Sequence, residues 1–303
     1  MKRDLVDIFS LTRGEIDNLM ERASLLKAKQ REGVSYTPLE GKTLGLIFEK
    51  ASTRTRVSFE VGMYQLGGYA LFLDFKDMHL SRGETIADTA RVFSRYVDGI
   101  MARTFSHETI GELARYATIP VINGLSDLLH PCQILSDVFT IMEGFGRYQG
   151  LKVAYVGDGN NVANSWINCA ARLDFQLSLA CPKGYGPDAS ILERARGESG
   201  REIQLLDDPY EAVSEADVIY TDVWASMGKE GEHAERLRHF TDYQVNSRLV
   251  GGAKSGVKVM HCLPAHRGEE ITDEVMDGTH SIVWDQAENR LHVQKAILEW
   301  LMG

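Results

Sequence analysis

The chain has 303 residues, 44% of them hydrophobic, with 33 Lys and Arg against 43 Asp and Glu, a formal charge of −10. That length suits two domains with ordinary cores. The composition excludes a disordered chain, and the acidic balance argues against nucleic acid as a general partner. The four cysteines, Cys132, Cys169, Cys181 and Cys262, form no CxxC pair, so neither a disulfide framework nor a zinc site is expected. Met1-Lys2-Arg3-Asp4 leads into a mixed polar segment, and no run approaches the roughly 18 apolar residues of a membrane span. A soluble, cytoplasmic protein without a membrane partner is expected.

In chain order, Ile16, Leu19, Met20, Ala23 and Leu26 predict an amphipathic helix over 14–31. Thr43 to Phe48 reads as a buried strand. Ser52-Thr53-Arg54-Thr55-Arg56 then turns into a helix that stops at Gly67-Gly68. Residues 69–73 read as a second strand, 76–84 as a polar loop containing His79, and 86–97 as a helix. A third strand over 99–102 ends at Arg103. A helix at about 108–118 precedes a fourth strand, 119–122, and Asn123-Gly124 reads as a turn. His130-Pro131 opens a helix with Pro at its first position.

A second alternating series follows, with strands expected at 153–156, 176–181, 202–206, 217–221, 257–260 and 281–283. A terminal helix is expected from Gln286 to Leu301. Such alternation predicts an α/β protein with two doubly wound parallel-sheet domains, 1–147 and 148–285, and an active site in the cleft between them. The C-terminal helix, 286–303, is expected to pack back on the first domain.

Chemistry concentrates at the ends of the predicted strands, the edge where open α/β sheets bind ligands. Three hydroxyls and two arginines lie within Ser52 to Arg56 at a helix start, where free N–H groups and the dipole favour an anion. A capped helix with two solvated arginines is the plainer alternative. Arg103 follows the third strand. His130 stands at a helix N-terminus, which favours neutral imidazole, with Gln133 close behind it. Asp222 follows the strand at 217–221 and suits a ligand ammonium group. The polar run after it, up to Glu232, fits either a mobile flap or an ordinary loop. Gly157-Asp158-Gly159-Asn160-Asn161-Val162 resembles a dinucleotide fingerprint, which would make the chain an NAD-dependent oxidoreductase. However, its sixth position is Val162, and the next predicted strand ends Ala180-Cys181-Pro182-Lys183 without the expected acidic residue. His261, Cys262 and His266 could suggest a metal, but their spacing matches no common zinc pattern.

Four motifs together resemble the aspartate/ornithine carbamoyltransferase superfamily: Ser52 to Arg56, His130 to Gln133, Asp222 to Gly228 and His261 to Pro264. The first two resemble the carbamoyl-phosphate site common to the superfamily. The last two, DVWASMG and HCLP, resemble its ornithine branch. The aspartate branch has Pro-Leu-Pro after the corresponding histidine and lacks the Ser-Met-Gly loop.

The resemblance implies transfer of the carbamoyl group of carbamoyl phosphate to the δ-amine of L-ornithine, giving L-citrulline and phosphate in arginine metabolism. It implies no cofactor, no metal and a homotrimer. By resemblance, Ser52, Thr53, Arg54 and Thr55 hold the phosphate, and Arg103 bridges phosphate and carbonyl oxygen. Pro131 and Cys132 accompany His130 and Gln133, which orient the carbamoyl group. Arg290 completes that site, and His79, where many bacterial members carry glutamine, reaches a neighbouring subunit's site. Asn161, Asp222, Ser226 and Met227 hold the amino-acid end of ornithine, and Cys262 and Leu263 lie by the attacking amine. Arg103, His130 and Cys262 are the catalytic candidates. Another acceptor amine, putrescine or an N-acylated ornithine, is the alternative within this chemistry.

Overall fold

The computed structural model describes residues 2–199, 203–225 and 230–303. Met1–Phe139 with Asn289–Gly303 form one compact unit, and Thr140–Glu288 form a second. Each is an α/β unit around its own parallel sheet.

The first unit begins with α1 (Arg13–Arg31), started by a capping box between Thr12 and Glu15. It continues through β1 (Thr43–Phe48), α2 (Thr53–Gln65), β2 (Tyr69–Asp74), two short 3-10 turns, α3 (Ile86–Phe93), β3 (Gly99–Arg103), α4 (His107–Tyr116), β4 (Val121–Leu125) and the first part of α5 (Pro131–Phe145), which passes into the second unit at Thr140. The strand order is β2-β1-β3-β4. Ile47, Ile100, Ala102 and Val121 pack against Ala90, Ile110 and Leu113 of the covering helices. The order reverses between β1 and β3, so a crevice is expected outside their C-terminal ends.

Asn123-Gly124 is not a turn: both residues continue β4. The N-terminal segment is the reason. Leu5 donates its N–H to the Val121 carbonyl at 2.9 Å and accepts from Asn123 N–H at 2.8 Å. The Asn123 side chain donates to the Val6 carbonyl at 2.9 Å. Gly124 is needed because a Cβ there would come within 2.3 Å of Met101 Sδ.

The second unit contains β5 (Lys152–Val156), α6 (Asn161–Ala170), β6 (Gln176–Ala180), α7 (Ala189–Ser199), β7 (Ile203–Leu206), α8 (Pro209–Val213), β8 (Val218–Thr221), α9 (His233–Phe240), α10 (Ser247–Val250), β9 (Lys258–His261) and α11 (Asp273–Met276). Its order is β7-β6-β5-β8-β9, reversing between β5 and β8. Val156, Ile219, Val259, Ala212, Leu249 and Val275 are among its core residues.

The strand expected at 281–283 does not form. Ser281 makes an isolated bridge to Val259, and Val283 opens α12 (Val283–Met302). A short apolar run such as Ile282-Val283-Trp284 carries no periodicity that separates strand from helix. From Asn289 onward α12 belongs to the first unit.

Candidate functional site

In the first unit the polar groups gather at the switch point. Ser52 caps α2, its Oγ accepting from Thr55 N–H at 3.3 Å and lying 3.2 Å from Thr55 Oγ1. The next strand end is tied in by Glu49, whose N–H donates to the Arg103 carbonyl at 2.9 Å and whose carboxylate accepts from Phe105 N–H at 2.7 Å. Arg103 sits opposite Phe48 in register, where a bulge between Ala102 and Arg103 interrupts the ladder to β4. Such bulges redirect side chains near sites.

The two arginines of the α2 turn part company. Arg54 is half-buried, whereas Arg56 is exposed, pairs with Glu60 at 2.9 Å and lies 3.7 Å over the Phe72 ring. Arg56 thus has a structural occupation of its own.

Arg290, 4% exposed on α12, connects the remaining pieces. It donates to Gln133 Oε1 at 2.6 Å and to Thr55 Oγ1 at 3.3 Å. Gln133 in turn donates to Asp137 Oδ1 at 2.8 Å. Burial, with Arg290 and Arg103 adding to it, holds the His130 pKa well below the ordinary imidazole value, so the ring is neutral. Arginine, neutral histidine, amide and hydroxyl therefore converge, a donor set suited to a phosphate dianion and an adjacent carbonyl oxygen.

The other expected residues of this half are placed as follows. Pro131 is the first residue of α5, and Thr53 is exposed at the start of α2. The Cys132 thiol is buried, donates to the Asn123 carbonyl at 3.4 Å and has its pKa pushed up to about 12 by burial. That makes it a packing group turned towards β4. His79 is exposed, in a 3-10 turn past β2, and is not joined to the cluster. Asp137 was not anticipated. Its signal is a carboxylate four residues beyond Gln133 in a largely apolar helix.

In the second unit the same logic repeats at the β5/β8 switch. Asn160 caps α6 by accepting from Val162 and Ala163 N–H groups, and its Nδ2 donates to Asp222 Oδ2 at 2.7 Å. The Cys262 thiol donates to Asp222 Oδ1 at 2.9 Å. Asp222, 7% exposed, is thus held through both oxygens by residues from the ends of β5 and β9. Asn161, the first residue of α6, is buried beside this group in sequence. From the sequence, Asn160 and Asn161 offer amide contacts to a small polar substrate; in the structure the Asn160 amide is taken up by the α6 cap and by Asp222.

Leu263 is fixed by its neighbour. His261 Nδ1 accepts from Leu263 N–H at 2.8 Å, so the ring proton is on Nε2, 2.9 Å from Glu270 Oε1. Both of those side chains are fully buried, and Leu263 has a φ of +60°. Ser226 and Met227 lie outside the described residues.

The glycines of the dinucleotide-like turn have another explanation. A Cβ on Gly159 would lie 2.1 Å from the Gly186 carbonyl carbon and 2.2 Å from Pro187 N. Gly159 is therefore required by the chain itself, with no pyrophosphate needed to account for it.

Comparison with known proteins also finds two domains in the chain, divided by sequence so that residues 289–301 fall with the second. Residues 3–143 match the aspartate/ornithine carbamoyltransferase carbamoyl-P binding domain, and residues 149–301 match the Asp/Orn binding domain of the same family. The chain is 63% identical to an ornithine carbamoyltransferase of Syntrophus aciditrophicus over 302 residues, covering 100% of both. It is 56% identical to a Pyrococcus furiosus protein named ornithine carbamoyltransferase, anabolic, covering 99% of this chain and 96% of the other. The solved ornithine carbamoyltransferase structure from Pyrococcus furiosus superposes with a TM-score of 0.95, covering 99% of this chain and 97% of that one. With both halves matched in order and nearly every residue covered, the chain belongs to the aspartate/ornithine carbamoyltransferase family.

Proposed function

We propose that this protein transfers the carbamoyl group of carbamoyl phosphate to the δ-amine of L-ornithine, releasing L-citrulline and phosphate. The observation that carries the reading is Arg290, which reaches both Thr55 and Gln133 beside a neutral His130. The names of the relatives and of the two matched domains support the choice of substrates.

In this reading Ser52, Thr53, Arg54 and Thr55 hold the phosphate, at the positive end of α2. Arg103 and Arg290 add fixed charge, and His130 and Gln133 orient the carbamoyl group. The ornithine nitrogen attacks the carbamoyl carbon and loses a proton, and the bond from that carbon to the phosphate oxygen breaks. Charge develops on the carbonyl oxygen, where Thr55, Arg103 and His130 stabilise it. One such donor is typically worth about 3–4 kcal/mol of barrier. Positioning two substrates supplies much of the remaining rate.

Asn161, Asp222, Ser226 and Met227 hold the amino-acid end of ornithine, with Cys262 and Leu263 near its nitrogen. A free alkylamine titrates near 10, as lysine does, so the acceptor site must favour the uncharged nucleophile. The thiol–carboxylate pair of half-buried Cys262 and buried Asp222 is the group available for that task.

A homotrimer is part of the proposal. Val57, Tyr64, Tyr69 and Leu71 are exposed on α2 and the edge strand β2. A patch of that kind calls for a covering partner, and it lies next in the chain to His79, the residue proposed to reach a neighbour's site. Four free cysteines, three of them buried, favour a reducing cytoplasm. The relative named anabolic favours arginine biosynthesis.

The test is citrulline formation from carbamoyl phosphate with ornithine, aspartate, putrescine and N-acetylornithine offered separately. Turnover with ornithine at least a hundredfold above the others is expected. Product with another acceptor alone would reassign the substrate, and tight NADH binding would revive the oxidoreductase alternative.

A further inference from the structure

We propose a transition-metal site, built from His233, His266 and Glu269, on the second unit and separate in composition from the residues assigned to ornithine. Each of the three offers one ligand atom, and all three atoms lie within 4.8 Å of one another. His233 Nε2 is 2.9 Å and His266 Nδ1 is 3.5 Å from the same carboxylate oxygen, Glu269 Oε2. With metal–ligand bonds of about 2.0–2.2 Å, neighbouring ligands of a tetrahedral ion stand about 3.4 Å apart. The two observed spacings bracket that value, and the third, between the two imidazole nitrogens, is within 4.8 Å.

Both sides of the site are already held in place. His233 is the first residue of α9, and one turn on, buried Arg236 pairs with Asp158 at 2.9 Å and donates to the Trp224 carbonyl at 2.7 Å. On the other side, Glu269 N–H donates to the His266 carbonyl at 2.9 Å. Gln244 Nε2 donates to the carbonyls of Gly268 and Glu269, each at 2.9 Å. His266 N–H donates to the fully buried carboxylate of Glu270 at 2.6 Å. Little conformational entropy remains to be lost on binding, which favours affinity.

The donor set selects the ion. Two imidazoles and one carboxylate suit Zn2+, Co2+ or Ni2+ and are too nitrogen-rich for Ca2+ or Mg2+. The histidines are partly exposed, so water can complete the coordination and the ion can exchange with solvent. A bound ion would fasten the start of α9 to the loop behind β9 and act as a clasp on the second unit. In its absence His233 keeps its hydrogen bond to Glu269, and His266 Nδ1 stays 3.5 Å from the same oxygen.

Titration of the full chain with Zn2+ by calorimetry, and with Co2+ by visible absorption, tests this. One ion per chain is expected, with imidazole–carboxylate d–d bands and no thiolate charge-transfer band. His233→Ala and His266→Ala should each weaken binding at least tenfold. Both variants should keep the metal-free melting temperature of the parent, because the side chains lie at the surface. Cys262→Ser should bind as the parent does. No binding by the parent chain, unchanged binding in either histidine variant, or loss of binding in Cys262→Ser would overturn the assignment.

Discussion

Arg290→Met should separate activity from stability. Methionine retains much of the length and all of the hydrophobic stem but removes the guanidinium that donates to Gln133 and Thr55. Loss of one charged donor at a developing oxyanion or phosphate costs about 3–4 kcal/mol, or roughly 10²–10³ in kcat/KM. The effect on folding should be small because two terms oppose. Gln133 Oε1 loses a donor, about 1–3 kcal/mol, while the desolvation cost of a buried cation disappears. A net change of 1 kcal/mol moves Tm by about 2–4 °C in a chain of 150–250 residues, and by less in a larger one. His130 provides a second signature. Burial is the first cause of its lowered pKa and Arg290 the next, so the variant's pKa should rise yet stay below the ordinary value of 6.5. The assay is citrulline formation at varied carbamoyl phosphate, with a thermal melt on the same sample. A kcat/KM within tenfold of the parent, on a normally folded variant, would refute the placement of Arg290 in the phosphate and carbamoyl site.

Arg54→Ala should lower kcat/KM at least a hundredfold with normal folding, whereas Arg56→Ala should stay within about 1 kcal/mol in stability and within threefold in activity, because Arg56 pairs with Glu60 and stacks on Phe72; parallel steady-state assays and melts decide. Cys262→Ala should raise the KM for ornithine more than that for carbamoyl phosphate, since the thiol holds Asp222; equal effects on both would contradict that assignment. His130, with a folded pKa well below its unfolded value of 6.5, contributes stability that is complete above pH 6.5 and is lost as pH falls below it. His130→Asn should therefore flatten the fall of Tm between pH 6.5 and 5; His107, lowered for the same reason, leaves part of the slope in place. Gly159→Ala should destabilise the second unit by more than about 3 kcal/mol, because a Cβ meets backbone at 2.1 Å and nothing flexible can yield; urea unfolding measures it.

Legibility in the sequence tracked locality. The β1–turn–α2 unit was readable because its apolar run, cap and helix period are contiguous in the chain. Asn123-Gly124 misled because a local turn preference was overridden by the Leu5 pairing and by Met101, more than a hundred and more than twenty residues away respectively. The separation of Arg54 from Arg56 was equally invisible, since it depends on Phe72 in the neighbouring strand. Arg290 came only from family resemblance; no spacing links it to Thr55, 235 positions earlier. Asp222 was legible as a polar residue ending a strand. Asn160 was legible as an amide donor, but its pairing with Asp222 was not, because the cap uses the amide oxygen and leaves the amide nitrogen for a contact 62 residues on. Strand ends announce a site, and the topology decides which of them become neighbours.

The first unit is discontinuous: Asn289–Gly303 rejoin it after an excursion of about 150 residues. During synthesis at about 5–20 residues per second, residue 289 emerges roughly 8–30 s after residue 139. Throughout that interval the nascent first unit lacks its final helical piece and the guanidinium of Arg290, and by its end the intervening unit is whole and free to fold. Ribosomal products released early would therefore be poor binders of acyl phosphates. Anyone wishing to express the first unit by itself must splice residue 139 to residue 289.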